Sequence, residues 1–312
     1  MGKHIIGYEV QKILAAVDWF KQSDASAKIG VAGYCEGGLI AMYASAVDKR
    51  IDATLVSGYF QSRQKVWDEP IYRNVWGLLN EFGDAEIASM IAPRPMVVEY
   101  SPIGEKLEAA TSKKVPYNEY SYSGFKGALK TPEYENVQAE FKRIDKLLKS
   151  GFQKRELVSG KQNMPVSFGS ERAMEAFTTL LGNASKLKAS QDPPVDKRSH
   201  FKPEARQIAQ VKEIEEHVQS IMRDSDSERY RFYLYKVVPE FGERTWSTKR
   251  YHPYFSPDTF ITQSEGYRKF FAEEILGRFD DKLLPPNPRT RKIYDKELWT
   301  GYEVVIDVYK DF

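Results

Sequence analysis

Lys28-Ile29-Gly30-Val31-Ala32-Gly33-Tyr34-Cys35-Glu36-Gly37-Gly38 is the stretch on which the reading of this chain turns. Its first part is a short apolar run of the kind that forms a strand buried on both faces. Its last part opens onto Leu39, Ile40, Met42 and several alanines, which predicts a helix over about Gly37 to Val47. Between the two, Gly33-Tyr34-Cys35-Glu36-Gly37 fits the pattern Gly-x-nucleophile-x-Gly. That pattern serves a very tight strand-to-helix turn, which strains the central residue so that its side chain projects above the sheet. Gly33, Gly37 and Gly38 are expected to leave room for strand and helix to cross closely. Partial positive charge at the helix N-terminus is expected to favour a Cys35 thiolate. The Glu36 N–H is expected to face a developing oxyanion. The plainer alternative is a small buried cysteine in a glycine-rich turn.

Working outward, Ile6, Val10, Ile13, Leu14, Val17 and Phe20 share one face of a helix predicted over Ile5 to Phe20. Downstream, Ile51 to Gly58 and Pro95 to Tyr100 read as strands, with a short helix from about Ile71 to Phe82 between them. Ser112 to Lys130 reads as a surface loop, Glu133 to Lys149 as a helix, Arg155 to Ser159 as a strand and Ser170 to Leu181 as a helix. This alternation predicts an α/β fold, a parallel sheet with helices on both faces. The polar, proline-bearing stretch from Asn183 to Pro203 reads as a linker. Beyond it, Ile208, Val211, Ile214, Val218 and Ile221 form a heptad-like stripe on a long helix, read as laid on a globular body rather than as a coiled coil. Tyr230, Phe232, Tyr233 and Tyr235 read as core, and Gly266 to Phe279 as a further helix. Lys292 to Tyr294 and Tyr302 to Tyr309 are expected to form a short antiparallel pair. The expected organisation is therefore 1–182 as an α/β domain, 183–203 as a linker and 204–312 as a helical region ending in β structure.

Composition narrows the classes. With 312 residues, 41% hydrophobic and 29% charged, the chain can bury a core. A formal charge of +2 gives no reason to expect a nucleic-acid partner. No apolar run approaches the roughly 20 residues of a membrane helix, so no membrane partner is expected. Met1-Gly2-Lys3-His4 lacks the basic-then-apolar pattern of a secretory leader. Ile6 stands where a myristoylation motif has Ser or Thr. A soluble protein is the expectation, with its compartment left open. A single cysteine rules out an internal disulfide framework. His-Glu-x-x-His, paired-cysteine, calcium-loop, phosphate-loop and dinucleotide fingerprints are all missing from the sequence. Neither metal nor cofactor is expected.

Together with the preceding amphipathic helix, Gly33-Tyr34-Cys35-Glu36-Gly37-Gly38 resembles the dienelactone hydrolase-like branch of the α/β-hydrolases. Ile87-Ala88-Ser89-Met90-Ile91-Ala92-Pro93-Arg94-Pro95, running into Met96-Val97-Val98-Glu99, resembles the approach to the strand whose far end carries that family's catalytic acid. Pro288-Arg289-Thr290-Arg291-Lys292-Ile293-Tyr294-Asp295, followed by Trp299-Thr300-Gly301-Tyr302-Glu303-Val304, resembles the opening of a hydrolase domain of acetyl xylan esterase type. The resemblance implies a fragment of a tandem hydrolase: one domain lacking its first strands, a helical linker, and the first strands of the next.

It also implies a catalytic set. Cys35 would be the nucleophile, the Glu36 N–H an oxyanion donor, and Glu99 or Glu105 the acid that orients a base. Where the family's histidine precedes the last helix, this chain reads Val166-Ser167-Phe168-Gly169-Ser170-Glu171, without one. His4, His200, His217 and His252 are the only histidines. His4 reads as solvent-exposed, His217 as a helix-surface or packing residue, and His252 as packed in an aromatic loop. His200, on the linker, is the candidate base. Two functions follow: cleavage of a small-molecule carboxylic ester or lactone through an acyl-cysteine, or a catalytically silent hydrolase-like scaffold for an adjoining domain. A sheet edge left bare by missing strands would invite pairing with a second copy.

Overall fold

The computed structural model describes residues 4–103, 127–148, 154–183, 187, 195–237, 257–278 and 282–310. Two compact units divide at Lys197/Arg198.

The first unit is built on a parallel sheet, β1 (Gly30–Tyr34), β2 (Ala53–Ser57), β3 (Met96–Glu99) and β4 (Arg155–Val158), in the order β1-β2-β3-β4. Helix α1 (Ile5–Ser23) precedes β1, α2 (Glu36–Val47) joins β1 to β2, α3 (Leu78–Glu81) and α4 (Asp84–Ser89) lie between β2 and β3, α5 (Tyr134–Leu147) lies between β3 and β4, and α6 (Glu171–Leu180) follows β4. Side chains alternate along a strand, so the sheet has two apolar faces to cover. On one face Val56, Met96 and Val98 pack with Ile6 of α1, Leu39 and Met42 of α2, Ala85 and Ile87 of α4, and Val137 and Ile144 of α5. On the other, Ala53, Leu55, Val97 and Val158 pack against Ala173 and Phe177 of α6. β2 and β3 are buried at every position, whereas Ala32 of β1 is exposed, because β1 has no strand on its outer side among the described residues. Each fully buried side chain of the size of Leu39 or Leu55 contributes about 1.5–3 kcal/mol.

Arg94 ties the end of α2 to the start of β3. Its guanidinium donates to the carbonyl oxygens of Ser45 (2.7 Å), Asp48 (2.9 Å) and Ile51 (2.9 Å). Carbonyls at a helix C-terminus have no partner within the helix, and a cation there also suits the dipole.

The expected helix over Ile71–Phe82 is instead a 3-10 turn, Ile71–Arg73, and the four-residue α3. Gly77 between them has φ +71°, a left-handed backbone that breaks helical continuity. Helix α4 ends within the stretch from Ile87 to Pro95 expected to be the approach to a strand.

The second unit contains α7 (Pro203–Arg229), which runs into a π turn (Tyr230–Leu234) and a last helical turn (Tyr235–Val237). None of the α7 side chains is buried, and Ile208, Val211, Ile214 and Met222 are exposed. The apolar stripe is therefore present, but none of it is buried among the described residues. Helix α8 (Pro257–Phe270) begins ahead of the predicted Gly266. Phe232 meets Tyr267 edge-to-face and Phe270 at a tilt, at centroid distances of 5.4 and 5.8 Å, yet remains about half exposed, so this cluster is not a sealed core. Strands β5 (Arg289–Asp295) and β6 (Thr300–Val305) form the antiparallel pair, with every β5 residue exposed. No helix among the described residues is long and apolar enough to cross a membrane.

Candidate active site

The site is organised by the turn from β1 into α2. Cys35 stands between them at φ 54°, ψ −114°. A left-handed φ on a residue with a Cβ costs on the order of 1–3 kcal/mol and persists only where the surroundings impose it. Here the constraint comes from three backbone bonds and two glycines. The Cys35 N–H donates to the Ser57 carbonyl at the end of β2 (2.9 Å), while Gly38 and Leu39 donate to the Cys35 carbonyl (3.0 and 3.2 Å). A Cβ on Gly33 would stand 1.9 Å from the Gly37 oxygen, and one on Gly38 would stand 2.8 Å from the Ser57 oxygen. Gly37 differs: a Cβ there meets nothing within 4 Å, so it contributes its carbonyl to the crossing rather than an empty side.

The sulfur lies beneath a small apolar cover. Cys35 is 6% exposed and packs with Ile103, Leu129 and Tyr34. The Tyr34 hydroxyl bonds the Pro102 carbonyl and its ring stacks on Phe168, fixing that wall. Burial pushes the Cys35 thiol above its ordinary range, and the neighbouring Glu36 carboxylate pushes the same way. Arg73 and the Glu36 N–H pull it down without prevailing. The expectation of a thiolate favoured by the helix N-terminus is thus corrected: desolvation outweighs the helix end.

A polar lattice, missed by the sequence reading, adjoins the sulfur. Arg73 Nε donates to Glu36 Oε1 (2.9 Å), the Tyr72 hydroxyl donates to the same oxygen, and Arg73 Nη1 donates to Glu69 Oε2 (3.0 Å). Arg63 shares Glu69, and both guanidinium groups lie over the Tyr59 ring, at 4.7 Å (Arg63) and 5.4 Å (Arg73). Behind them Asp84 is fully buried; it accepts from the Gln61 N–H (3.1 Å) and the Tyr59 hydroxyl (3.4 Å). Burial pushes its carboxyl up to about 7. The only signal available in the sequence was the density of arginine and aromatic side chains in a loop following a strand.

Glu99, the expected acid, is 1% exposed at the end of β3. It accepts from Ser57 Oγ (2.5 Å), Gly169 N–H (3.1 Å), and Ser170 N–H and Oγ (2.9 and 2.7 Å). No histidine is among these partners. The carboxylate instead fastens the N-terminus of α6, where backbone donors and the helix dipole both favour an anion. Glu105 and His252 lie outside the described residues. His4 is an N-cap, its Nδ1 accepting from the Ile6 N–H at 3.2 Å. His200 is exposed in the second unit, just ahead of α7, and His217 lies within α7. Among the described residues no group of three or more His, Cys, Asp or Glu side chains could hold a metal ion.

The sequence model of the dienelactone hydrolase family matches residues 3–70, which hold α1, β1, the Cys35 turn, α2 and β2. The chain carries a dienelactone hydrolase-like segment. No curated protein sequence matches it. Among solved structures, methylesterase BT1017 is similar at 16% identity with a TM-score of 0.34, over 58% of this chain and 38% of that one. The chain thus spans well under half the length of that protein.

Proposed function

We propose that this chain is the elbow-bearing part of a carboxylic-ester or lactone hydrolase, with Cys35 as the nucleophile on a nucleophile elbow. The observation that carries the reading is the strained Cys35 backbone, φ 54° and ψ −114°, imposed by the Gly33–Gly37 crossing. Strain of this kind is stored where a side chain must be presented to a reacting partner. In the proposed reaction Cys35 Sγ attacks the ester carbonyl and the Glu36 N–H bonds the oxyanion. The alcohol leaves with a proton, and water then cleaves the thioester to release acid and thiol. His200 is the base proposed for the thiol proton, and Glu105 the acid that would orient it, since Glu99 is committed to α6. A small-molecule carboxylic ester is the proposed substrate. The outer edge of β1, which no strand pairs among the described residues, is the proposed surface for pairing with a second copy.

A second reading is favoured by a specific observation of its own. The sulfur is covered, burial pushes its thiol above the ordinary range, and among the described residues no histidine bonds Glu99. These features suit a catalytically silent hydrolase-like domain that supports an adjoining one. Short-chain p-nitrophenyl esters, offered to the protein and to Cys35→Ala, separate the two. The first reading expects turnover that disappears in the variant. Absence of turnover in both leaves the scaffold, and turnover unchanged by the substitution removes Cys35 from the chemistry.

A further inference from the structure

The cation whose charge acts on the Cys35 sulfur is Arg73, supplied by the turn that follows β2. Its side chain is 2% exposed and is fixed by Glu36, by Glu69 and by the Tyr59 ring beneath it. Nη2 lies 2.8 Å from Glu36 Oε1 but has no aligned hydrogen-bond acceptor, so this buried guanidinium keeps donor capacity unspent. Glu36 follows Cys35 directly in the chain, so the Glu36–Arg73 ion pair is anchored at the turn that carries the thiol. Tyr72, through its bond to Glu36, and Glu69, through its bond to Arg73, are further titratable groups against it.

We propose that Arg73 is the positioning residue of the Cys35 site, its guanidinium standing as the counter-charge to a Cys35 thiolate in the part an imidazolium plays in a cysteine–histidine pair. The inference rests on Cys35 occupying the nucleophile position, but it concerns the state of the thiol and not the turnover of ester. Ionisation sends the thiol proton to water or hydroxide, and the charge left on sulfur is met by Arg73. Glu36 works against this, both by its own charge and by occupying the guanidinium. Arg73 and Glu36 therefore have opposite effects on one proton. Burial of the sulfur then decides how much of the Arg73 charge is needed before the anion forms.

Cys35 is the single cysteine of the chain, so alkylation reads it alone. The rate of iodoacetamide labelling is measured against pH for the full chain and for Arg73→Gln and Glu36→Gln, with far-UV circular dichroism to verify folding. Arg73→Gln is expected to move the midpoint up by about one unit, slowing labelling at pH 8 roughly tenfold. Glu36→Gln is expected to move it down and to speed labelling several-fold. Shifts in the same direction, as a loosened Ile103–Leu129 cover would give in both variants, overturn the proposal, and so do two unchanged midpoints. If Arg73→Gln fails to fold, Arg73→Lys takes its place: retained charge predicts a midpoint near that of the parent, and a rise of a full unit overturns the proposal. Failure of ester turnover alone leaves these readings intact, so the two accounts fail separately.

Discussion

Gly33 passes the carbonyl of Gly37 so closely that a single added methyl group would overlap it, at 1.9 Å from the oxygen. Strand β1 and helix α2 can cross at that distance only because position 33 has no side chain. The strained Cys35 backbone lies within the bend so formed.

Gly33→Ala is therefore expected to cost about 3 kcal/mol or more, because its neighbour is backbone and cannot turn aside. Gly37→Ala, two residues past the same turn and open on its outer side, is expected to be neutral or to gain up to about 1 kcal/mol from helix propensity. Urea unfolding of the two variants checks the contrast; equal losses would contradict the crossing geometry.

Glu99 receives four hydrogen bonds from Ser57, Gly169 and Ser170. Its replacement by Ala strips buried donors of their acceptor, at an expected cost of about 3 kcal/mol. The loss should appear in thermal unfolding. A role confined to catalysis would instead leave the midpoint unchanged.

Asp84 gives a pH dependence. Its carboxyl titrates near 7 in the fold because of burial, against about 3.9 in an unfolded chain. The folded state therefore binds the extra proton between these values, and stability falls as pH rises through that window. Asp84→Asn removes the group, so its thermal midpoint relative to the parent should improve from pH 5 to pH 8. A difference independent of pH would contradict the account.

Much of the fold was legible because it rests on local rules. The apolar runs at Val31, Leu55 and Val97 are short, bounded by turn residues and separated by helical periodicity, so a parallel sheet followed directly. The Cys35 turn was legible because glycine spacing carries its geometric requirement. The state of the sulfur was not, since burial by Ile103 and Leu129 comes from residues more than sixty positions away. The Arg63–Glu69–Arg73 lattice was equally hidden, because charges in a loop reveal neither partner nor depth until the chain folds. The helix expected over Ile71–Phe82 is broken at Gly77, whose φ of +71° becomes evident only once the chain is folded. Glu99 was placed correctly at a strand end, but its partner is the N-terminus of α6, which no spacing in the sequence announces.

The most direct test of the central claim is to trap the acyl group. The protein is incubated with p-nitrophenyl acetate at mildly alkaline pH, where more of the buried thiol is ionised, quenched in acid, digested and examined by mass spectrometry. An acetyl group on the peptide containing Cys35, absent from Cys35→Ala, is the predicted result. Ester turnover with no acetyl on that peptide, or with the label on another side chain, would contradict it.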